Sequence, residues 1–469
     1  MTTLFARNPR TGVHDYAFEP PSRDELLKIC AHLRQHQPGW AEMGVQARAA
    51  VLQQWKSELE QRREALISAI ATDTGRWAES ELEFTSIMGT IDRWCRTAPA
   101  LLDTPDEKPV SIPFVTLKNE IVPYALVGVI SPWNFPLILS LIDAIPALMA
   151  GCAVLVKPSE ITPRFVVVLL QAIEAVPLLR EVFRFVQGAG DTGAAIIEQV
   201  DVLCFTGSVA TGRKVGEQCA KRFIPSFLEL GGKDPVIVLE SANLDRATAS
   251  ILWGSMVNNG HSCMSIERVY VARPIFDDFV QMLSNKAQKL TLNLDDMRQG
   301  QIGPIIAEPQ IAIIRAHLQD AFAKGAVATA GGALIERGGT WCQPTVLIHC
   351  NHHMQVIADE TFGPIAPVMP FDTLDEAIQL ANDTRYGLSA AVFAGDVETA
   401  RAVGKRIRAG AISLNDTCLT AILHEGEKQS FGFSGLGGSR MGPVAIKRFF
   451  RVQAMYANRL DGNVPWWFK

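Results

Sequence analysis

Apolar residues fall into short, dense runs through the middle of the chain, and the longest run raises the question of a membrane. From Ile121 to Val156 the only charged residue is Asp143, and a window of that length and polarity resembles a span. Pro123, Pro132, Pro136 and Pro146 interrupt it, as does the polar group Ser131-Pro132-Trp133-Asn134. Read by period, the run predicts a strand at Leu126 to Ile130, a turn, a helix at Leu137 to Met149 and a strand at Ala153 to Lys157. That is a βαβ unit, whose parallel strands are buried on both faces and so look continuously apolar. No membrane association is expected.

The pattern on either side extends this reading. Ser22-Arg23-Asp24-Glu25 is a capping box, and helical periodicity continues from it, with breaks, to about Cys95. Residues Asp103 to Tyr124 predict an extended arm, with alternation from Val110 to Val122. Short apolar strands are expected at Val182 to Val186, Val202 to Phe205, Pro235 to Leu239 and Val269 to Val271. A second stretch of strands and helices runs from about Ile251 to Asn415. Strands alternating with helices predict an α/β, doubly wound fold.

Composition narrows the function classes. At 469 residues the chain is long enough for two to four packed units, and 48% hydrophobic against 20% charged is an ordinary globular balance. Lys plus Arg is 44 and Asp plus Glu is 49, a net charge of −5, which argues against a nucleic-acid partner. Nine irregularly spaced cysteines and no secretory pattern at Met1 to Pro9 predict a reducing, cytoplasmic setting.

Two glycine runs bear on nucleotide binding. Gly188-Ala189-Gly190-Asp191-Thr192-Gly193 satisfies G-x-G-x-x-G after a candidate strand, a weak signal equally met by a plain turn. Gly207-Ser208-Val209-Ala210-Thr211-Gly212-Arg213-Lys214 nearly matches a P-loop, but Arg213 stands where Lys is needed and Lys214 where a hydroxyl is needed. A turn approaching a dinucleotide pyrophosphate stays open. Three further residues supply chemistry together. Cys263 lies in the polar segment Asn258-Asn259-Gly260-His261-Ser262-Cys263, Glu229 in Phe227-Leu228-Glu229-Leu230-Gly231-Gly232, and Asn134 in Trp133-Asn134-Phe135-Pro136. Singly, each reads as a buried thiol, a turn carboxylate and a turn amide. As a set they are a thiol nucleophile, a base and an oxyanion donor, the parts of acyl chemistry through a thioester.

The order of these motifs resembles the aldehyde dehydrogenase superfamily over nearly the whole chain. The resemblance is carried by Gly128 to Pro136, Lys157-Pro158-Ser159-Glu160, Phe205 to Ser208, Leu228 to Lys233, Gly260 to Cys263, Glu360-Thr361-Phe362-Gly363-Pro364, Asn382 to Leu388 and Gly410 to Asn415. It implies that Cys263 is the nucleophile, Glu229 the base and Asn134 the side-chain oxyanion donor. It implies a dinucleotide held by Ile130, Trp133, Lys157, Ser159, Glu160, Gly190, Thr206, Gly207, Ser208, Gly212 and Leu230, with Glu360 and Phe362 on the nicotinamide side. Glu160 would repel a 2′-phosphate, so NAD is expected over NADP. The reaction implied is oxidation of a small-molecule aldehyde to a carboxylic acid. A CoA-acylating enzyme and a non-catalytic structural paralogue are the alternatives.

By the same resemblance, a Rossmann-like dinucleotide-binding domain covers 1–104 and 125–230, and an α/β catalytic domain covers 231–430. Segments 105–124 and 431–469 form a small oligomerisation arm and tail, for a homodimer or homotetramer. Two departures stand out: His261 where the family commonly has Gln, and Ser430-Phe431-Gly432-Phe433 in place of Pro-Phe-Gly-Gly. His349-Cys350-Asn351-His352-His353 is too compact to fold around one ion, and no metal site is expected. Pro465-Trp466-Trp467-Phe468 is expected to dock against the body or another subunit.

Overall fold

The computed structural model describes residues 3–103 and 106–467. Phe468, at the end of the tryptophan-rich tail, lies outside them. Two parallel-dominated sheets build the molecule. The first has the spatial order Gly435–Leu436, Ser226–Glu229, Val202–Thr206, Leu126–Ile130, Ala153–Lys157, Phe183–Phe185. All its pairs are parallel except the outermost one, where Gly435–Leu436 runs antiparallel to Ser226–Glu229. The chain first lays strands to one side of Leu126–Ile130, then returns to lay Val202–Thr206 on the other. A crevice therefore opens at the carboxyl ends of these two neighbours, where α/β folds bind ligands.

The second sheet is ordered Val327–Ala330, Thr345–Ile348, Ile365–Phe371, Ile266–Ala272, Asp234–Val238, Ser389–Phe393, Ala411–Leu414. The expected α/β class is what forms. The strands Leu126–Ile130 and Ala153–Lys157 have the predicted bounds, and Ser22 caps the helix Arg23–Glu42 through a complete capping box. The helix between the two strands differs from expectation. It forms as Pro136–Leu141 and Ala144–Ala150, broken at Ile142-Asp143. The break turns the fully buried Asp143 towards Arg440 and Arg448.

The arm forms an antiparallel ribbon. Val115–Pro123 pairs along its length with Phe450–Asn458, and Lys108–Pro109 flanks its other side. At the tail, Trp466 stacks on Phe114 with ring centroids 5.5 Å apart. Trp466 and Trp467 stay more than half exposed. Among the described residues no helix is long and apolar enough to cross a membrane.

Candidate active site

The site is built where the carboxyl end of the first sheet faces the second. Asn134 lies four residues beyond the end of the strand Leu126–Ile130 and is buried. Its carbonyl accepts from Arg76 Nη2 and Asn258 Nδ2, each at 3.0 Å. Its side-chain Nδ2 donates one hydrogen to the His261 carbonyl at 3.0 Å, leaving a second hydrogen for another acceptor. Asn258 Nδ2 also donates to the His261 carbonyl, at 2.8 Å. Asn134 is thus fixed by three hydrogen bonds, one of them to the carbonyl of His261, two residues ahead of Cys263.

The loop carrying the thiol turns through three successive left-handed residues, Asn258, Asn259 and Gly260, with φ of 57°, 59° and 69°. Asparagine and glycine are the residues that tolerate this region, which explains the Asn-Asn-Gly sequence. Cys263 approaches Gly232 so closely that a Cβ at Gly232 would fall 2.2 Å from the Cys263 carbonyl oxygen. Glycine there brings Glu229–Gly232 and the thiol loop together. Gly232 N–H donates to Glu360 Oε1 at 2.9 Å, which adds the fourth segment. Glu229 ends its strand partly exposed, 3.9 Å from the buried Lys428 ammonium.

Burial pushes the Cys263 thiol up to about 12, with Lys428 opposing and Glu360, Asp234 and Glu229 adding to the rise. Burial also raises the Glu360 carboxyl to about 8, aided by Glu267. Phe362 is left-handed, at φ 51°. Its N–H and that of Thr361 donate to the two oxygens of Glu267, each at 2.7 Å. His261 sits between rings, its centroid 5.2 Å from Trp133 and 5.7 Å from Phe362. Its Nδ1–H donates to the Phe362 carbonyl at 2.7 Å. Burial lowers its pKa to about 3, so the ring is neutral and does not act as a charged partner of Cys263.

The remaining candidates line the first sheet's carboxyl edge. Lys157 Nζ donates to the Pro158 carbonyl at 2.9 Å and lies 3.3 Å from Glu160 Oε2. Burial pulls the ammonium below its ordinary value, with Glu160 opposing. Glu160 is 44% exposed, so its carboxylate is open to a ligand. Ser159 Oγ is turned inward, accepting from Ile161 N–H at 3.2 Å. Gly190 opens the helix Gly190–Ile197 and is exposed. Thr206 ends its strand, and Gly207 N–H donates to the Glu229 carbonyl at 3.1 Å. Ser208 caps the helix Val209–Lys221. Gly212 packs against Leu230, where a Cβ would come within 2.4 Å of that side chain. Trp133 and Ile130 flank the Asn134 turn. Gly212 and Leu230 therefore pack against each other, away from the open edge.

Several residues at the site escaped sequence reasoning. Arg76 is buried and reaches Asn134 across the interface between elements. Arg440 Nη2 bonds both Asp143 and the Thr206 hydroxyl, so the far carboxyl-terminal region supports the turn at Gly207. The isolated charge of Asp143 within an apolar run was the one signal pointing to this contact. In the compact histidine cluster, Tyr270 hydroxyl and Asp383 occupy the two ring nitrogens of His352, at 3.0 and 2.7 Å.

Segments carrying a thiol, a carboxylate and an amide donor thus meet at the carboxyl end of the first sheet, by the strand switch point where α/β folds bind ligands. The chain belongs to the aldehyde dehydrogenase family, whose model matches residues 2–455. A Mycolicibacterium smegmatis protein, provisionally named an NADP(+) succinate-semialdehyde dehydrogenase, is 37% identical over 93% of this chain and 85% of its own. A 4,4′-diapolycopene aldehyde oxidase of Methylomonas is 37% identical over 91% and 80%. Among solved structures, a provisionally named aldehyde dehydrogenase of Anabaena variabilis superposes with TM-score 0.98 at 56% identity, covering 100% of both chains. Betaine aldehyde dehydrogenase of Staphylococcus aureus, solved with NAD+, gives TM-score 0.92 at 27% identity over 100% and 94%. The chain is accordingly an NAD(P)-dependent, aldehyde-oxidising enzyme.

Proposed function

We propose that Cys263 attacks the aldehyde carbon, and that water activated by Glu229 releases the carboxylic acid from the resulting thioester. The close approach of the Cys263 loop to Gly232, three residues beyond Glu229, and the bond from Asn134 to the His261 carbonyl carry this reading. The free Nδ2 hydrogen of Asn134, with the Cys263 backbone N–H, holds the oxyanion as it develops. Because the thiol is neutral near pH 7, a neighbouring carboxylate accepts its proton on attack. The dinucleotide, when bound, accepts the hydride. The residues fit it: an exposed Glu160 carboxylate beside a lysine, a turn at Gly207-Ser208, and the uncovered N–H groups of a following helix. Domain 1–104 and 125–230 holds this cofactor in our reading, and 231–430 holds the thiol.

Glu229→Gln tests the deacylation step. The variant is expected to form NADH once per site in rapid mixing and then stall, with a steady rate on the order of 10²–10⁴-fold below native. Native turnover in the variant would remove Glu229 from the mechanism and reopen the CoA-acylating reading.

NAD is the preferred cofactor in this proposal, because the Glu160 carboxylate would oppose a 2′-phosphate. Glu160→Gln should raise the ratio of kcat/KM for NADP over NAD by about an order of magnitude. A native enzyme already strongly selective for NADP would refute that role.

The substrate end is apolar. Phe135, Leu139 and Ile142 lie on one partly exposed face of the helix Pro136–Leu141 and its ends, while Leu137 and Leu141 are buried. Ser262 and Met264 flank the thiol. We expect hexanal or benzaldehyde to exceed succinic semialdehyde in kcat/KM, and the reverse order would place a cationic anchor in the tunnel.

The free edge of Phe450–Asn458, with Val452 and Tyr456 at least 60% exposed, suits pairing with another copy in a homodimer or homotetramer. All nine cysteines are free thiols, which supports a reducing, cytoplasmic location.

A further inference from the structure

Away from the active site, three metal-ligating side chains converge on the edge of the first sheet. His32 and His36 are one turn apart on the helix Arg23–Glu42, with ring centroids 4.3 Å apart. Glu181 stands between the short helix Pro177–Arg180 and the edge strand Phe183–Phe185. One ligand atom from each of the three lies within 4.8 Å of the other two. We propose that His32, His36 and Glu181 bind a divalent transition-metal ion of the zinc class.

Orientation separates this cluster from an ordinary surface ion pair. His32 Nε2 is 2.8 Å from Glu181 Oε2, with its ring poorly aligned on that oxygen. The two atoms are close without being aimed at one another, as two ligands of a common third centre are. His36 Nε2 lies 3.7 Å from the same oxygen. For a tetrahedral ion with bonds of about 2.0–2.1 Å, ligand atoms stand about 3.3 Å apart, and the two separations bracket that value.

The surroundings prepare each ligand. His36 Nδ1–H donates to the His32 carbonyl at 2.9 Å, which leaves the Nε2 lone pair free. Arg180 Nε donates to Glu181 Oε1 at 3.0 Å, which reserves Oε2. Two imidazoles with one carboxylate favour Zn²⁺, Ni²⁺ or Co²⁺ over Ca²⁺ and Mg²⁺, which take oxygen donors. All three side chains remain partly exposed, so a fourth position is open to water. The ion would staple the amino-terminal helix to a strand that pairs on one side only. No local motif reveals the set, since Glu181 is far from the histidines in sequence.

The test uses full-length, chelator-treated Cys263→Ala protein, so that the active-site thiol cannot contribute. Titration with Zn²⁺ is expected to give one bound ion per chain, and at 100 times Kd to raise the folding equilibrium constant about 100-fold, read as an increase in Tm. Co²⁺ should give visible d–d bands without a thiolate charge-transfer band. His32→Ala and Glu181→Gln should each weaken binding at least about tenfold, while the exposed His14→Ala should not. Should one variant fail to fold, the other still decides. Absence of stoichiometric binding, equal binding in both variants, or a thiolate band with Co²⁺ would overturn the proposal.

Discussion

Cys263→Ala is expected to abolish aldehyde oxidation while leaving NAD binding largely intact. The loss should be on the order of 10⁶-fold, the scale on which a nucleophile acting with its base fails when removed. Retention of cofactor binding follows from placement. Glu160 and the Gly207-Ser208 turn lie on the first sheet, whereas Cys263 comes from the loop preceding Ile266–Ala272 in the second. Activity measured beside NAD titration by fluorescence checks both halves, and substantial remaining turnover would exclude the covalent route.

The thiol's environment adds a pH dependence to the same prediction. A cofactor-free Cys263 near 12 is thiolate in roughly one molecule in 10⁵ at pH 7. Raising the pH favours the charged form, so alkylation of free enzyme by iodoacetamide should rise about tenfold per unit between about pH 6 and pH 9. A plateau near neutrality would show that the thiol is already ionised. Cys263 and Cys95 should still react ahead of the other seven cysteines, because only these two are partly exposed. Access, rather than acidity, separates Cys263 from the buried thiols: burial also holds Cys342, Cys350 and Cys418 at about 12.

The chemistry was legible in the sequence because its residues sit in short runs of glycine and polar groups that break apolar patterns. Leu126–Ile130 and Ala153–Lys157 were legible for the complementary reason, as apolar runs with proline, glycine and polar residues at their margins. Where charge enters a strand the reading shortens. Ile266–Ala272 was expected only as Val269 to Val271, since Glu267 and Arg268 look like surface residues. Both are buried. Glu267 is satisfied by Lys233 and two backbone N–H groups, and Arg268 by the carbonyls of Lys233, Leu380 and Ala381. Partners that distant leave no local pattern. The same holds for Arg76 behind Asn134 and for Lys428 beside Glu229, whose functions depend on contacts made only after folding.

Asp143→Asn should cost about 3–5 kcal/mol of stability, the scale for breaking a buried ion pair by removing one partner. The carboxylate is fully buried, with Arg440 Nη2 at 2.8 Å and Arg448 Nη2 at 2.6 Å. Burial opposes its ionisation, but the two guanidinium groups outweigh that and hold its pKa below the ordinary value. Asparagine leaves both cations without the charge that faces them, in a region where Arg448 also packs over Phe227 and Phe449. Since the folded pKa is depressed, the stabilisation is present above the unfolded value of about 3.9 and is lost as pH falls through the folded one. Urea midpoints of native and variant protein should therefore differ widely at pH 7 and converge in strong acid. Equal midpoints at pH 7 would show that the pair contributes nothing net. Function gives a second reading, because Arg440 also holds the Thr206 hydroxyl next to Gly207. Loosening that arginine should raise KM for NAD, and pairing Asp143→Asn with Arg440→Gln should give less than the sum of the single losses. Strict additivity would mean that Asp143 and Arg440 stabilise the fold independently, and that the turn at Gly207 owes nothing to their contact.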